Sequence, residues 1–241
     1  MRIFGSQILR RRPSSYGNSA RNVQSAMRRI AAAFVFAAIG MAGVLPLSAQ
    51  ERQVKIVALG DSLTAGYGLS ASETFPAKLA LALKSKDIEA EIVNAGVGGD
   101  TATGGLERLD WSVPQDTDAV ILELGANDML RGLDPKITRA AIGTIVRKLR
   151  QRRIVVLICG MLAPPNMGEE YGMAFKLIFA DAAVAYGAMY YPFFLEGVAA
   201  NTKLIQRDGL HPTAAGVDRI VSNILPSVEQ LIVWSKTERG S

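Results

Sequence analysis

The sequence predicts a doubly wound α/β sandwich built on a parallel sheet, and three observations carry that prediction. Short, continuous apolar runs rich in β-branched residues recur along the chain, as strands covered on both faces require. Segments of helical period lie between the runs. Polar, turn-forming blocks follow the runs, at the sheet end where ligands of such folds bind.

The 241-residue chain changes character before the first run. Residues 1–49 read as an N-terminal extension and signal peptide, and 50–241 as a single folded domain. From Met27 the text is MRRIAAAFVFAAIGMAGVLPLSAQ. Arg28 and Arg29 form a positive start, Ile30 to Leu45 an apolar stretch, and Leu47-Ser48-Ala49 a small-residue cleavage site. That stretch holds glycines, ends at Pro46 and is shorter than the ~20 residues a membrane span needs. The expectation is therefore cleavage after Ala49 and an exported, periplasmic or secreted product without a stable membrane anchor. Residues 1–26 read either as a long positive region or as sequence upstream of a true start at Met27.

Along the body, the first strand is expected over Val54–Leu59, followed by Glu91–Val97, Ala119–Leu124, Ile154–Met161 and Met189–Phe194. Between the third and fourth, Ile137, Ala141, Ile145 and Leu149 recur at four-residue spacing within 135–152, which predicts a helix. After the fifth, Val217, Ile220, Val221, Ile224, Val228, Leu231 and Ile232 trace a second helical stripe. Pro226 falls inside it, so a kink or break is expected there.

Composition narrows the function. Half of the residues (49%) are hydrophobic and 20% are charged, as in ordinary globular proteins. The net charge of +5 belongs to the leader, since Arg2, Arg10, Arg11, Arg12, Arg21, Arg28 and Arg29 precede residue 50 with no acidic partner. The body that remains is slightly acidic, which leaves no basic footprint for nucleic acid. Cys159 is the lone cysteine and His211 the lone histidine, so neither an intramolecular disulfide nor a Cys/His zinc site can be assembled. Cys159 sits in the run Ile154–Cys159, where a buried structural thiol is expected rather than a nucleophile.

Four polar blocks carry the chemistry. They are Gly60-Asp61-Ser62-Leu63-Thr64-Ala65-Gly66, Asn94-Ala95-Gly96-Val97-Gly98-Gly99-Asp100-Thr101, Gly125-Ala126-Asn127-Asp128 and Asp208-Gly209-Leu210-His211-Pro212. Singly, each has a plain structural explanation: an Asp-Ser helix cap, glycine turns, Asn-Asp turn chemistry, a loop-shaping aspartate. Nucleotide motifs do not fit. Gly60 to Gly66 has no following lysine, Gly96-Val97-Gly98-Gly99 misses the dinucleotide fingerprint, and a G-x-S-x-G elbow is absent.

Together and in this order, the blocks resemble the GDSL/SGNH hydrolase family from about Val54 to Ile232. The similarity runs closest to its arylesterases and multifunctional acyl-CoA thioesterases with lysophospholipase activity. Pro165-Asn166-Met167-Gly168-Glu169-Glu170-Tyr171 and Pro192-Phe193-Phe194-Leu195-Glu196 resemble segments of the same branch. The resemblance implies a flavodoxin-like, three-layer sandwich with about five parallel strands. It implies Ser62 as nucleophile, Asp208 and His211 as its partners, and Ser62, Gly99 and Asn127 as the oxyanion hole, with no metal and no organic cofactor.

Residue chemistry agrees with those roles. A serine hydroxyl needs a base, and a Ser-His mechanism has only His211 to draw on. A carboxylate on the far ring nitrogen fixes the tautomer, which Asp208 has the type and proximity to supply. Glycine at 99 leaves no Cβ between its backbone and a developing oxyanion. Cleavage of small acyl esters or thioesters through an acyl-enzyme is the leading expectation. Acyl transfer to an alcohol, carbohydrate O-deacetylation and a non-catalytic binding module stand as alternatives, and no oligomeric state is implied. Met129, Leu130, Met161, Leu162 and Met167 lie near the blocks, where they suit either an acyl chain or plain core packing.

Overall fold

The computed structural model describes residues 52–240; the proposed leader, its cleavage site and the alternative start at Met27 lie outside the described residues. Five strands form one parallel sheet in the order β2-β1-β3-β4-β5: β1 Val54–Gly60, β2 Ala90–Gly96, β3 Ala119–Glu123, β4 Val155–Cys159 and β5 Met189–Tyr191. This is the three-layer, doubly wound arrangement that the sequence implied. The central strands β3 and β4 are buried at every residue and β1 at all but Lys55. The edge strands β2 and β5 are only partly covered. Continuous apolar text marks the middle of the sheet because both faces there carry helices.

Among the described residues eight α-helices lie between and after the strands: α1 Ser62–Ala65, α2 Phe75–Lys84, α3 Ala102–Glu107, α4 Leu109–Ser112, α5 Ala126–Leu130, α6 Pro135–Gln151, α7 Glu169–Tyr186 and α8 Ala214–Gly240. Helices α2 and α8 pack together, as do α6 with α3 and with α7. Helix α6 begins where Asp134 accepts from the Lys136 N–H at 2.9 Å, with Pro135 in its first turn and Lys148 and Arg150 in its last. Its buried face is Thr138, Ala141, Ile142, Ile145, Val146 and Leu149, whereas Ile137 is exposed. The expected stripe thus starts one residue late, because a four-residue spacing drifts off a 3.6-residue period.

The break expected at Pro226 does not occur in α8. All seven stripe residues are buried, but the helix runs through Pro226 without a break. Pro226 and Ser222, whose carbonyl loses its intrahelical donor to the proline, both face solvent. Water can satisfy that carbonyl, while the buried stripe holds the helix on the sheet.

Strand ends also differ from the apolar runs. Ile154 closes α6, donating its N–H to the Leu149 carbonyl at 3.1 Å, rather than opening β4. Beyond Cys159 and Tyr191, contact continues irregularly through Gly160 N–H to Tyr191 O (2.8 Å) and Phe194 N–H to Gly160 O (3.0 Å). Strands β1 and β3 are neighbours in the sheet although β2 lies between them in the chain. The crevice at their carboxyl ends is therefore the topological switch point, where ligands of open sheets collect.

Candidate active site

Each polar block leaves the sheet at that end. Ser62 starts α1, two residues past Gly60. Asp61 caps the helix, accepting from the Leu63 N–H at 3.0 Å. The turn is tight: a Cβ on Gly60 would lie 2.1 Å from Thr64 Oγ1 and 2.7 Å from the Glu123 carbonyl, so only glycine fits.

The fourth block brings its imidazole to the serine from the opposite side of the sequence. His211 Nε2 lies 2.9 Å from Ser62 Oγ, and His211 Nδ1 lies 2.7 Å from Asp208 Oδ2. The second contact sets the first: with Nδ1–H donating to the carboxylate, Nε2 is left as acceptor for the serine proton. Asp208 is itself fixed through Oδ1, which accepts the backbone N–H groups of Leu210 (2.9 Å) and His211 (3.1 Å). Those two N–H groups, followed by the imidazole, hold its carboxyl down to about 2. Thr213 then starts α8, accepting the Gly216 N–H at 3.2 Å.

Asn127 lies in α5 rather than in a bare turn, and its Nδ2 donates to Asp61 Oδ2 at 3.0 Å. One amide hydrogen is thereby fixed on Asp61, and the residue lines the same cleft as Ser62 and His211. The neighbouring Asp128 is buried and accepts from the Ala102 N–H (2.8 Å) and the Thr138 hydroxyl (2.9 Å), tying α5 to α3 and α6. Gly99 also lines the cleft, at φ +79°. A Cβ there would meet nothing nearer than Arg131 Nη2 at 3.8 Å. The backbone angle is thus the constraint within the protein, and the open space beside Gly99 is the cleft itself. The Gly99 carbonyl accepts from Arg131 Nη2 at 2.6 Å, and next to it Asp100 pairs with the buried Arg108. Arg108 also donates to Gly60 O and Ala95 O, both at 2.8 Å, and so joins the ends of β1 and β2 to this loop.

The cleft has a volume of about 780 Å³ and is mostly apolar. Of the five apolar residues singled out, Met129, Leu130, Met161 and Leu162 line it, and Met167 does not. Pro165, Phe193 and Leu195, from the two further segments of resemblance, line it as well, as does Pro164. Cys159 is buried, and burial pushes its thiol well above the ordinary range, consistent with an inert core residue. Among the described residues no cluster of three or more His, Cys, Asp or Glu could hold a metal ion.

Three residues of the site escaped the sequence reading. Tyr67 lies tilted against the His211 ring. Arg108 braces the Gly99 loop. Glu123 lies fully buried beneath Asp61. The one available signal was for Glu123, a lone carboxylate in the apolar run Ala119–Leu124.

Known proteins resemble this chain in sequence and fold. Residues 58–219 match the GDSL-like lipase/acylhydrolase family. Esterase TesA of Pseudomonas aeruginosa is 34% identical over 194 residues, covering 80% of this chain and 96% of its own. The thioesterase 1/protease 1/lysophospholipase L1 of Escherichia coli K12 is 37% identical over 158 residues, covering 65% and 74%. The crystal structure of AlinE4, an SGNH-hydrolase family esterase, is 46% identical with a TM-score of 0.63, covering 74% of this chain and 96% of AlinE4. A family match that spans most of the folded part, on a sheet with the serine, histidine and aspartate in hydrogen-bond contact, leads to one conclusion: this chain belongs to the GDSL-like lipase/acylhydrolase family of ester-cleaving enzymes.

Proposed function

We propose that the protein is an exported serine hydrolase that cleaves apolar acyl esters and thioesters, with Ser62, His211 and Asp208 as its catalytic triad. The observation that carries this reading is the continuous contact Ser62–His211–Asp208 opening onto an apolar cleft. In the first half-reaction Ser62 Oγ attacks the acyl carbon while His211 Nε2 takes its proton. The carbonyl oxygen becomes an oxyanion that accepts from the backbone N–H groups of Ser62 and Gly99 and from Asn127 Nδ2. As the tetrahedral centre collapses, His211 returns the proton to the departing alcohol or thiol, leaving the acyl group on Ser62. Water then repeats the sequence: His211 takes a proton from water, the hydroxyl adds to the acyl carbon, and Ser62 leaves with the proton. Every step runs on side-chain and backbone groups of this chain.

The cleft favours an acyl chain over a carbohydrate. Met129, Met161, Leu162 and Phe193 offer methyl, methylene and ring surface, not the hydrogen-bonding edges a sugar needs. The E. coli relative is named a thioesterase and lysophospholipase, and the P. aeruginosa and AlinE4 proteins are named esterases, which supports the same substrate class. Export rests on the Met27–Ala49 pattern, and no helix among the described residues is long and apolar enough to cross a membrane. Mixing the purified protein with a p-nitrophenyl ester tests the chemistry. A burst of one p-nitrophenol per Ser62 is expected, absent in Ser62→Ala; turnover by that variant at the wild-type rate overturns the assignment. N-terminal sequencing of the exported protein tests the leader, with a start near Gln50 expected.

A further inference from the structure

Beneath the nucleophile turn lie two carboxyl groups that the triad does not use. Asp61 and Glu123 are both buried, and they are joined through the Asp61 backbone, whose N–H donates to Glu123 Oε2 at 3.3 Å. The same Oε2 accepts the Thr64 hydroxyl at 2.8 Å. Glu123 Oε1 is buried and has no hydrogen-bond partner. Glu123 ends β3, four residues before Asn127, and its contacts land on the two residues that flank the Ser62–Leu63 step. It therefore buckles the strand that carries Asn127 to the turn that carries Ser62. Asp61 makes the second link, receiving Asn127 Nδ2 on Oδ2 and the Leu63 N–H on Oδ1.

We propose that Glu123 and Asp61 are positioning residues, acting in series to hold the Asn127 amide with its N–H turned into the cleft beside Ser62. This inference rests on the assignment of Asn127 to the oxyanion hole. Glu123 works as a neutral acid. An anion with one oxygen unpartnered, fully buried beside a second carboxylate, has only the Asp61 N–H and the Thr64 hydroxyl to set against its desolvation. Burial, and then the neighbouring Asp61, push its carboxyl well above the ordinary range. Neutral, it still accepts the Asp61 N–H and the Thr64 hydroxyl on Oε2. Asp61 works as the anion. Burial raises its carboxyl to about 6, against the Leu63 N–H and the Asn127 amide, which favour the charged form. The other ionisable groups that act on Asp61 are Glu123 from β3, His211 from the loop before α8, and Asp100 from the loop after β2, itself paired with Arg108. While Asp61 is ionised, only an N–H of Asn127 can face it. Once protonated, Asp61 can donate to the Asn127 carbonyl oxygen instead, and the amide no longer has to hold that orientation.

The test is a kinetic cycle on a p-nitrophenyl ester, with melting temperatures on the same preparations. Glu123→Met removes the accepting oxygen at similar length. It is expected to lower kcat by about 10- to 10²-fold with little change in KM, as misplacement of a reacting group does. Glu123→Gln restores a neutral acceptor for Asp61 N–H and Thr64, and is expected to recover most of that loss. In an Asn127→Ala background, Glu123→Met should cost little further kcat, because the group it positions is gone. Additive losses, or a Gln variant as slow as the Met variant, overturn the proposal. If Glu123→Met fails to fold, Asp61→Asn makes the same test. An amide at 61 offers one oxygen where two donors now arrive, so its kcat loss must also vanish in the Asn127→Ala background. Should Asn127→Ala alone leave kcat unchanged, the oxyanion assignment itself falls. A large loss from Asn127→Ala with none from the Glu123 and Asp61 variants removes only the relay.

Discussion

The ring of Tyr67 stands against the imidazole of His211, with centroids 4.3 Å apart and planes inclined by 31°. Tyr67 is 58% exposed, so core packing alone does not explain its place. Gln206 locks it there, donating Nε2 to the Tyr67 carbonyl (2.8 Å) and to the Pro212 carbonyl (2.9 Å), while the Gln206 N–H reaches the His211 carbonyl (2.7 Å). The backbones on either side of the stacked rings are thus tied by one side chain.

A π face beside an imidazole favours its charged form, which exists only after the serine proton has moved. Tyr67→Ala should therefore lower kcat more than it raises KM, by roughly two- to fivefold, the worth of an exposed cation–π contact of about 0.5–1 kcal/mol. Tyr67→Phe keeps the face and should keep the rate. Equal rates for the alanine and phenylalanine variants would assign the stack to cleft walling alone.

The oxyanion role proposed for Asn127 is separable from the nucleophile role proposed for Ser62. Asn127→Ala should reduce kcat by ~10²–10³, the usual value of one such donor, with a smaller change in KM. The variant should still label at Ser62 with an organophosphate, slowly, whereas Ser62→Ala should not label there. Because Asn127 also bonds Asp61, melting temperature must be measured alongside; a stable protein with wild-type kcat refutes the assignment.

Much of this site was legible before any coordinates, and the boundary falls along physical lines. Ser62, Asn127, Asp208 and His211 stood out because four short blocks, each with a plain structural explanation alone, resemble one family in their order. The middle strands read as β because they are buried on both faces, whereas β2 and β5, at the edges, blur into their loops. Partners brought together by topology left little trace. The reach of Arg108 to the Gly60 carbonyl and the contact of Tyr67 with a ring 144 positions away depend on how loops converge at the switch point. The helical spacing of apolar residues identified α8, and Pro226, two residues past Ile224, falls off that stripe on the wet side.

Glu123 gives a prediction about stability that runs opposite to that for kcat. In the folded protein its carboxyl stays protonated above its ordinary range, while in the unfolded chain it ionises above ~4.3. Over that window the folded state binds more protons, so the wild type loses stability as pH rises. Glutamine has no proton to lose. Glu123→Gln should match the wild type near pH 4 and gain on it by up to ~1.4 kcal/mol per pH unit above that, until the folded glutamate also ionises. Denaturant midpoints at pH 4, 5, 6 and 7 read this directly. A gap that does not change with pH would mean that Glu123 is ionised in the fold.

The apolar cleft predicts how rate depends on acyl length. Each methylene buried against Met129, Met161 and Phe193 is worth ~0.8 kcal/mol, close to fourfold in kcat/KM. A p-nitrophenyl ester series should climb by about that factor per methylene added until the chain fills the cleft, then level off. A flat series from acetate upward would favour the carbohydrate O-acetyl reading instead.

Asp208→Asn should invert the tautomer of His211 while leaving the loop intact. Asp208 Oδ1 already holds the Leu210 and His211 backbone N–H groups, and an asparagine oxygen can keep both. That choice leaves the new Nδ2 facing His211 Nδ1, where Asp208 Oδ2 now accepts at 2.7 Å. Two donors cannot face each other, so Nδ1 must give up its proton and Nε2 must carry it. Nε2 then has no lone pair for the Ser62 hydroxyl 2.9 Å away, and the base is disabled without being removed. Loss of the matching carboxylate in a serine protease costs ~10⁴ in kcat for this reason, and a comparable fall is expected here. Because His211 is the lone histidine, its two ring nitrogens can be read in the ¹⁵N–¹H spectrum without assignment by mutation. The proton should sit on Nδ1 in the wild type and on Nε2 in the variant, at a pH where the ring is neutral. A variant that keeps its proton on Nδ1, or that turns over ester at the wild-type rate, would show that Asp208 does not set the tautomer.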